Sequence, residues 1–509
     1  MQTARGPIPI ETIDSAVSGR TARPSRGSSP RIVTAAIRVE GAAPEPFLRS
    51  AAGEPRGFWA RGERWVAHAG ALATLEPDAA SPPSLRFHTL RAAARAWSSA
   101  ARTRFPEDDG ALVGRLRFYG GFAFREDHQP AGFWEAFPPA LFVLPALELV
   151  GDAAGTRLRA HSLIPEDADP RDAVERLRGV LARVAAELQD APPRRAVGEV
   201  PSERSEMGRV TWEDAVEQAL AAIANGRFSK VVLARTLDVT TAEPIDPVDV
   251  VQQLWRQNPG THVFLFEPRV GRPFLGAAPE TVATLRKGVF HATAVAGSIA
   301  RGESEEESRA LAVRLLASAK DREEQRIARE DMVARLRPLA EQIRADEEPH
   351  VLALARIQHL ESEIRARVQG RTVLELLEAL HPTPAVCGYP RDEALEFLRG
   401  EEPFDRGWYA GPVGFFDEEG NGAFAPALRS AVAHGRTWRL FAGAGIVARS
   451  RPELEWAETG IKFEPVLRAL EASGARVGER STASPAGAVA SPEKPSSAPA
   501  PQTPPPAGA

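Results

Sequence analysis

The chain has 509 residues, 43% of them hydrophobic, so its apolar content is sufficient for a large buried core. A formal net charge of −5 excludes the basic surface of a nucleic-acid or anionic-membrane binder, and the single cysteine, Cys387, excludes an intrachain disulfide and a thiolate metal cluster. No apolar run reaches the length of a membrane span and the N-terminus lacks the apolar core of a signal peptide, so we expect a cytoplasmic protein without a membrane partner.

The first part of the chain is predicted to combine short strands with one long helix. Residues 1–30 are rich in Ser, Arg, Gly and Pro and are expected to be flexible. The N-terminal part of the fold, residues 31–190, opens with the alternating segment RIVTAAIRV, as a strand does. Apolar residues at helical spacing predict an amphipathic helix from Asp169 to Leu188. Residues 191–209, polar and without a period, are interpreted as a connection.

Residues 210–472 are predicted to form the core that carries the candidate functional residues. A helix with Thr211 as its N-cap is expected to end at an Asn-Gly pair, and the strand FSKVVLARTLDV follows. That strand places Lys230 on a face with small apolar residues, for which an exposed edge lysine is the alternative. A long helical pattern further on is broken into two helices at the tripeptide AKD. Residues 473–509, rich in Pro, Ala and Ser, are expected to be disordered.

The stretch from His381 to Ala431, with the run from Phe441 to Phe463, concentrates glycines, prolines and charged residues. Prolines fix turns, and glycines let the backbone approach a small ligand closely. Arginine and lysine side chains supply cations here, and three glutamates near the end supply anions. Such a combination suggests a site for an acidic ligand with a metal, and solvated surface loops are the alternative.

The segments HPTPAV, EPFDRGWYAGPVG, ALRSA, AGAGIV and EWAET-IK together resemble the C-terminal signature of the chorismate-utilising enzymes, and within that family the isochorismate synthases. The resemblance covers roughly residues 210–470. It implies an α+β fold in which two large antiparallel sheets pack face to face with helices outside. It also implies Mg²⁺-dependent conversion of chorismate into isochorismate, in which water adds at ring C2 while the C4 hydroxyl leaves. The family contains many monomers, so a monomer is expected.

The resemblance assigns the acid–base chemistry to Lys230, in FSKVVLAR, and Glu280, in GAAPET. Lys230 resembles the base and must act in its neutral form, so burial and nearby cations are expected to lower its pKa. Glu280 resembles the general acid and must hold its proton, so burial is expected to raise its pKa. Without the resemblance, Glu280 would be interpreted as a residue of a surface turn.

The resemblance also assigns two Mg²⁺ ligands, Glu324 in KDREEQ and Glu458 in EWAET. Asp321 and Glu455 stand three residues before them, so each pair lies on one helical face and the earlier members are expected to act through water or as supports of the ligands. A few carboxylates with waters and substrate oxygens suit Mg²⁺. An ordinary salt-bridged helix face is the alternative.

The remaining candidates resemble residues that hold the substrate. Arg429 and Lys462 are expected to bind its carboxylates, because arginine offers a planar fork and lysine a point charge. A buried structural arginine is the alternative for Arg429. His381, followed directly by proline, is expected to position the ring. The other expected contacts come from Tyr409, Gly443, Gly445, Ala296, Gly297 and Ser298.

Water is the expected nucleophile, since Lys230 stands where the anthranilate and aminodeoxychorismate synthases usually carry glutamine. Ala296 stands where aminodeoxychorismate synthases often carry a nucleophilic lysine. Because water and not ammonia is the expected nucleophile, neither a glutaminase domain nor a glutaminase subunit is expected. Two alternatives stay open: a salicylate synthase, which goes on to eliminate pyruvate, and a catalytically silent chorismate-binding protein. A metal hydrolase is disfavoured because no histidine cluster accompanies the carboxylates.

Four residues depart from the family's usual motifs around the predicted site. Ala278 and Ser298 replace Ser and Thr, whereas Thr281 replaces an arginine and so removes a cation beside Glu280. Gln325 replaces a histidine after Glu324 and keeps polar character.

Overall fold

The structure is a computed structural model, and it describes residues 31–77, 82–100, 114–189 and 200–477. The flexible segment predicted over residues 1–30 lies outside the described residues, as does all but the beginning of the predicted disordered tail. Within the described ranges, no helix has both the length and the apolar character needed to cross a membrane.

The described residues contain twenty-three strands and ten α-helices, with two short 3₁₀ helices at Pro83–Leu85 and Gly132–Trp134. The strands are β1 (Arg31–Arg38), β2 (Arg56–Arg61), β3 (Arg64–Ala69), β4 (Ala73–Leu75), β5 (Arg117–Phe122), β6 (Ala140–Leu144), β7 (Leu147–Asp152), β8 (Gly155–Ile164), β9 (Val200–Glu206), β10 (Lys230–Thr241), β11 (His262–Glu267), β12 (Phe274–Ala278), β13 (Ala283–Arg286), β14 (Val289–Ala300), β15 (Gln342–Ala345), β16 (His350–Ala353), β17 (Ile357–Arg367), β18 (Gly388–Tyr389), β19 (Pro412–Asp417), β20 (Gly422–Pro426), β21 (Ser430–His434), β22 (Thr437–Ile446) and β23 (Ala475–Val477). The helices are α1 (Pro44–Ser50), α2 (Arg86–Ala100), α3 (Pro170–Gln189), α4 (Arg209–Ala224), α5 (Pro247–Gln257), α6 (Glu305–Ala317), α7 (Ala319–Leu336), α8 (Val373–Leu380), α9 (Arg391–Glu401) and α10 (Pro452–Ala472).

The strands form two large sheets. Sheet A has 13 strands in the order β1-β8-β7-β3-β2-β11-β12-β21-β22-β10-β9-β23, with β18 added beside β10. Sheet B has 10 strands in the order β15-β17-β14-β13-β20-β19-β5-β6-β4, with β16 added beside β17. Among the described strands, every pairing is antiparallel apart from that of β23 with β9. The N-terminal part and the core contribute directly paired strands to both sheets, β2 with β11 in sheet A and β5 with β19 in sheet B.

Three hydrophobic clusters show how the layers are stacked. The middle cluster joins side chains of both sheets, among them Phe264 of sheet A and Val413 of sheet B. A second cluster packs the other face of sheet A against α3 and α10, and a third packs sheet B against α7 and α8. The prediction of two large antiparallel sheets packed face to face with helices outside is therefore confirmed.

Three predicted boundaries need correction. The segment 191–209 is more than a connection, because it contains β9, which pairs with β10. The segment 473–509 begins with β23, which pairs with β9 in parallel. The helix α4 begins at Arg209 with Gly208 as its N-cap, three residues before the predicted N-cap Thr211. The residues of β9 alternate only between half-buried and exposed positions, so an apolar pattern could not reveal the strand.

The predicted break between two helices is confirmed and positions part of the site. Ser318 alone separates α6 from α7, and its hydroxyl accepts a hydrogen bond of 3.3 Å from the backbone N–H of Asp321. A serine N-cap satisfies one of the free N–H groups of the first turn and so fixes the start of the helix. Asp321 and Glu324 consequently lie in the first two turns of α7, and α7 packs against β14.

Candidate active site

The floor of a cavity is formed by β10 and β22 of sheet A, where Val232 pairs with Gly445 and Ala234 with Gly443. Side chains alternate along a strand, so Lys230 shares this face. A Cβ atom at residue 445 would lie 2.0 Å from Oε1 of Glu324, and one at residue 443 would lie 3.0 Å from the Tyr409 hydroxyl. Gly445 therefore leaves the space that the carboxylate of Glu324 occupies, and Gly443 allows a close contact with the Tyr409 hydroxyl.

The cavity contains about 660 Å³ of empty space, including open solvent at its mouth. Ten of the predicted site residues line it: Glu280, Ala296, Gly297, Ser298, Glu324, Tyr409, Arg429, Gly443, Gly445 and Lys462. These residues come from segments up to 182 positions apart in the chain, from Glu280 to Lys462. The structure thus brings most of the predicted site together.

Lys230 is fully buried, which rules out the alternative of an exposed edge lysine. Its Nζ lies 3.1 Å from Oε1 of Glu324, without the geometry of a directed hydrogen bond. The structure therefore places a carboxylate next to this lysine, where the sequence led us to expect cations. Lys230 therefore contacts the site through Glu324.

Glu280 is 1% exposed and follows the last residues of β12, so it does not lie in a surface turn. Its Oε1 is buried and has no hydrogen-bond partner. Burial raises the pKa of Glu280 to about 8, an effect to which the negative charge of Glu361 adds and which the positive charge of Lys230 opposes. A carboxyl group in this environment keeps its proton at neutral pH, as a general acid must.

Four carboxylates meet beside the cavity, two from α7 (Asp321 and Glu324) and two from α10 (Glu455 and Glu458). We call these four residues the carboxylate cluster. Burial, together with the charge of Glu458, raises the pKa of Glu455 to about 7. Burial acts in the same direction on Glu458, but the charges of Lys462 and of Lys320 outweigh it and lower its pKa. The cluster is therefore densely charged and poorly hydrated.

The donor set of the carboxylate cluster fits Mg²⁺, which prefers carboxylate oxygens with waters. Oε2 of Glu455 is buried without a hydrogen-bond partner, so it has an unused acceptor. In their present positions, however, no three His, Cys, Asp or Glu side chains of the described chain are grouped closely enough to hold an ion. Lysines lie between them: Lys320 is 3.1 Å from Oε1 of Glu455, and Lys462 is 2.5 Å from Oε1 of Glu458.

Arg429 extends into the opposite side of the cavity with one half of its guanidinium free. Its Nη2 donates a hydrogen bond of 3.1 Å to Nε2 of His359, whereas its Nη1 is buried and has no partner. The residue adopts a left-handed backbone conformation with φ of +49°. Burial lowers the pKa of Arg429 to about 10, so the side chain remains a cation at neutral pH. A free, buried N–H donor on a cation is suited to an anionic ligand.

His359, a residue of β17, is the functional candidate that the sequence did not reveal. Its Nδ1 lies 3.1 Å from the carbonyl oxygen of Gly297 and 3.0 Å from the Ser298 hydroxyl. Because a carbonyl only accepts, Nδ1 carries the proton and Nε2 accepts from Arg429. Burial, with the charges of Arg429 and Lys462, lowers the pKa of His359 to about 3, so the ring is neutral. His359 thereby links Gly297 and Ser298 of β14 to the cavity arginine.

The structure corrects the expectation for His381, which does not line the cavity. His381 follows α8 as its C-cap, and its Nε2 lies 3.0 Å from the carbonyl oxygen of Phe124. The ring is buried, and burial holds its pKa well below the usual value. His381 therefore joins α8 to the loop after β5, and the histidine beside the predicted substrate site is His359.

Two of the departures from the family's motifs are compensated within the fold. The Thr281 hydroxyl receives a hydrogen bond of 3.0 Å from Nη1 of Arg61, which lies on β2 in the N-terminal part. A cation is thus present beside the Glu280 loop although residue 281 is not an arginine. Gln325 donates a buried hydrogen bond of 2.7 Å to the Ser362 hydroxyl.

Comparisons with known proteins agree with this geometry. A family model described as a chorismate binding enzyme matches residues 19–471. The chain is 38% identical over 372 residues to the salicylate biosynthesis isochorismate synthase of Pseudomonas aeruginosa, covering 72% of this chain and 76% of that protein. It is 33% identical over 366 residues to isochorismate synthase MenF of Bacillus subtilis, covering 71% and 75%.

Solved structures show the same relationship. The menaquinone-specific isochorismate synthase MenF of Escherichia coli superposes with a TM-score of 0.72 at 25% identity, covering 91% of this chain and 98% of that one. Anthranilate synthase component I of Streptococcus pneumoniae shares the fold with a TM-score of 0.62 at 19% identity, covering 92% and 100%. The chain therefore belongs to the chorismate binding enzyme family.

Proposed function

We propose that the chain is an isochorismate synthase, an isomerase that interconverts chorismate and isochorismate with Mg²⁺. The observation that carries the proposal is the arrangement at the cavity: a buried carboxyl group with a pKa near 8 and a cation with a free donor line it, and a fully buried lysine contacts the lining residue Glu324. The isochorismate synthases that match this chain over most of its length support the specific reaction.

In the proposed reaction, Lys230 in its neutral form takes a proton from water, and the water oxygen bonds to ring C2. The ring double bond shifts, the bond between C4 and its hydroxyl oxygen breaks, and Glu280 gives its proton to the leaving hydroxyl, which departs as water. Both groups are buried beside the same cavity, so neither has to compete with bulk solvent for the proton that it transfers.

Arg429 and Lys462 hold the substrate carboxylates in the proposed complex. Arg429 contributes its unpartnered Nη1, and Lys462, whose Nζ donates to the carbonyl oxygen of Gly443 at 2.8 Å, contributes a point charge from α10. The Tyr409 hydroxyl, which lies against Gly443, adds a donor at the cavity wall. These contacts orient the ring between Lys230 and Glu280.

The carboxylate cluster is proposed to hold Mg²⁺, with Glu324 and Glu458 as ligands and with Asp321 and Glu455 acting through water. When bound, the ion supplies positive charge that neutralises a substrate carboxylate and stabilises charge that develops in the reaction. Glu324 and Lys462 line the cavity, and Lys462 contacts Glu458, so the cluster is adjacent to the space for the substrate.

Product analysis after incubation of the purified protein with chorismate and Mg²⁺, with and without ammonium, tests the proposal. We expect isochorismate as the only product, no effect of ammonium, and loss of the reaction when EDTA is added. Salicylate with pyruvate would instead identify a salicylate synthase. An aminated product would contradict the role of Lys230, and absence of any turnover would favour a silent chorismate-binding protein.

A further inference from the structure

Lysine is rare in this chain, and its distribution is uneven. The chain has 63 basic residues, of which only five are lysines: Lys230, Lys287, Lys320, Lys462 and Lys494. Three of these five, Lys230, Lys320 and Lys462, contact the carboxylate cluster. Most other basic positions of the chain are arginines, so the use of lysine beside the cluster directs attention to how the two side chains differ. Lysine carries a compact point charge on a flexible stem, whereas the guanidinium is wide, planar and forked.

Two of the three lysines already have a role in the proposed reaction, and Lys320 has none. Lys320 is the second residue of α7, and its side chain is 20% exposed. Its Nζ lies 3.1 Å from Oε1 of Glu455, 3.8 Å from Oδ1 of Asp321 and 3.9 Å from Oε2 of Glu324. An ammonium group therefore stands among oxygens of both helices, at the place where a cation shared by α7 and α10 would lie.

The cluster around Lys320 also has an unused acceptor. Oε2 of Glu455 is buried and has no hydrogen-bond partner, and the residue as a whole is only 2% exposed. A buried carboxylate oxygen without a partner costs free energy, and a bound ion or water removes that cost. Lys320 is the lysine that lies nearest to oxygens of both helices, and the cluster keeps a free acceptor for an ion of higher charge.

We propose that Lys320 is an internal cation that occupies part of the divalent-ion site, between the ligand Glu324 and the supporting residues Asp321 and Glu455, and that a divalent ion displaces it into solvent. The inference rests on the proposed function, because that function makes the carboxylate cluster the Mg²⁺ site. The partial exposure of the side chain gives Lys320 a route out of the cluster without any backbone movement.

Two consequences follow from this competition. Without a divalent ion, Lys320 offsets the charges of Asp321, Glu324 and Glu455, and Lys462 pairs with Glu458, so the carboxylates do not repel one another apart. With a divalent ion, part of the binding free energy is used to remove the ammonium group, which weakens the observed affinity. Lys320 thereby keeps the ion exchangeable.

The test measures Mg²⁺ binding to the full chain by calorimetry without chorismate, for wild type, Lys320→Met and Lys287→Met. Methionine keeps the length of the side chain and removes the charge. Lys287 is an exposed turn residue outside the site, so its substitution controls for the loss of one lysine. We expect Lys320→Met to bind Mg²⁺ at least about tenfold more tightly than wild type, and Lys287→Met to match wild type.

Thermal unfolding in EDTA and in MgCl₂ supplies the second readout. Lys320→Met should unfold at a lower temperature than wild type in EDTA and recover in MgCl₂, because its carboxylates then lack any shared cation. Lys320→Arg should bind Mg²⁺ more weakly than wild type, since a forked guanidinium holds carboxylates in two-point contacts. If Lys320→Met does not fold in either buffer, the Lys320→Arg comparison decides.

Equal or weaker Mg²⁺ binding by Lys320→Met would overturn the inference and make Lys320 a support of the ion. Absence of Mg²⁺ binding in both proteins would overturn it as well. Tighter binding by Lys320→Met in a protein that makes no isochorismate would leave the inference standing and contradict the proposed function alone. Isochorismate formation by wild type, together with an unchanged Mg²⁺ affinity in Lys320→Met, would contradict the inference and leave the proposed function standing.

Discussion

Two buried ionic clusters of this protein are built from similar side chains but differ in how completely the oxygens of their carboxylates are paired. In the N-terminal part, Glu148 is fully buried, and its Oε1 accepts a hydrogen bond of 2.7 Å from the Tyr119 hydroxyl. Its Oε2 lies 2.9 Å from Nε2 of His161 and 3.0 Å from Nη1 of Arg159. In the cavity, by contrast, Glu280, Glu455 and Arg429 each keep a buried polar atom without a partner.

The difference separates structural charge from functional charge. Burial alone would raise the pKa of Glu148, but Arg159 and His161 more than reverse this effect. The Glu148 carboxylate is therefore ionised, with both oxygens paired. Around the cavity the pKa values of Glu280 and Glu455 are raised instead, because burial dominates and the nearby lysines do not reverse its effect. Buried groups that lack partners are expected where a ligand supplies the missing contacts.

The largest effect is expected from Lys230→Ala, which removes the proposed base from the cavity. The rate of isochorismate formation should fall by about 10³-fold or more, while the unfolding temperature stays close to that of wild type. Lys287→Ala, at an exposed turn, is the matched control and should change neither quantity. Turnover of chorismate by Lys230→Ala at the wild-type rate would show that another group activates the water.

Glu148→Ala tests the satisfied cluster and should act on stability instead of catalysis. It leaves Arg159 and His161 buried without their anion, so we expect the free energy of unfolding to fall by about 3–5 kcal/mol. Urea denaturation measures this change, and kcat of the folded enzyme should stay within about twofold of wild type. A large loss of kcat without a loss of stability would mean that the two clusters are coupled.

Glu280→Gln should lose activity and gain stability at high pH. The folded protein holds the Glu280 proton up to about pH 8, whereas the unfolded chain releases it near the ordinary value of 4.5. Folding therefore becomes less favourable as pH rises from about 4.5 to 8, and glutamine removes this dependence. We expect kcat to fall about 10²-fold and unfolding at pH 8 to cost about 1–3 kcal/mol more than in wild type.

The pH profile of Glu280→Gln sharpens this expectation. Its stability advantage over wild type should be absent near pH 4 and should grow until about pH 8, as measured by urea denaturation at fixed ionic strength. An advantage of the same size at every pH would show that the substitution acts through packing.

The smallest effect is expected from His359→Ala, which leaves Nη2 of Arg429 without its acceptor. The loss of one hydrogen bond to a charged group should raise KM for chorismate about tenfold and leave kcat within about threefold. Steady-state kinetics separates the two constants. A fall in kcat with unchanged KM would place His359 in the chemical step and contradict a positioning role.

The two-sheet fold and the candidate site residues were predicted from the resemblance of the motifs, whereas local pattern by itself indicated only single helices, strands and their faces. The face of β10 with Lys230, the break at Ser318 and the three-residue spacing of the carboxylate pairs are all local properties. His359 was not predictable, since its contacts with Ser298 and Arg429 lie 61 and 70 positions away and depend on strand pairing. His381 shows the same limit of prediction from sequence. The proline-rich motif that follows it fixes a turn but does not reveal which side chains face the cavity.

The pairing of β23 with β9 has a practical consequence for the protein's solubility. These two strands end the 13-stranded sheet, and β23 covers part of the edge of β9. A chain shortened to residue 472 would leave N–H and C=O groups of β9 open along that edge, where a second molecule can add a strand. Such a shortened chain should keep its cavity but self-associate, whereas one shortened to residue 477 keeps the edge covered and should stay dispersed.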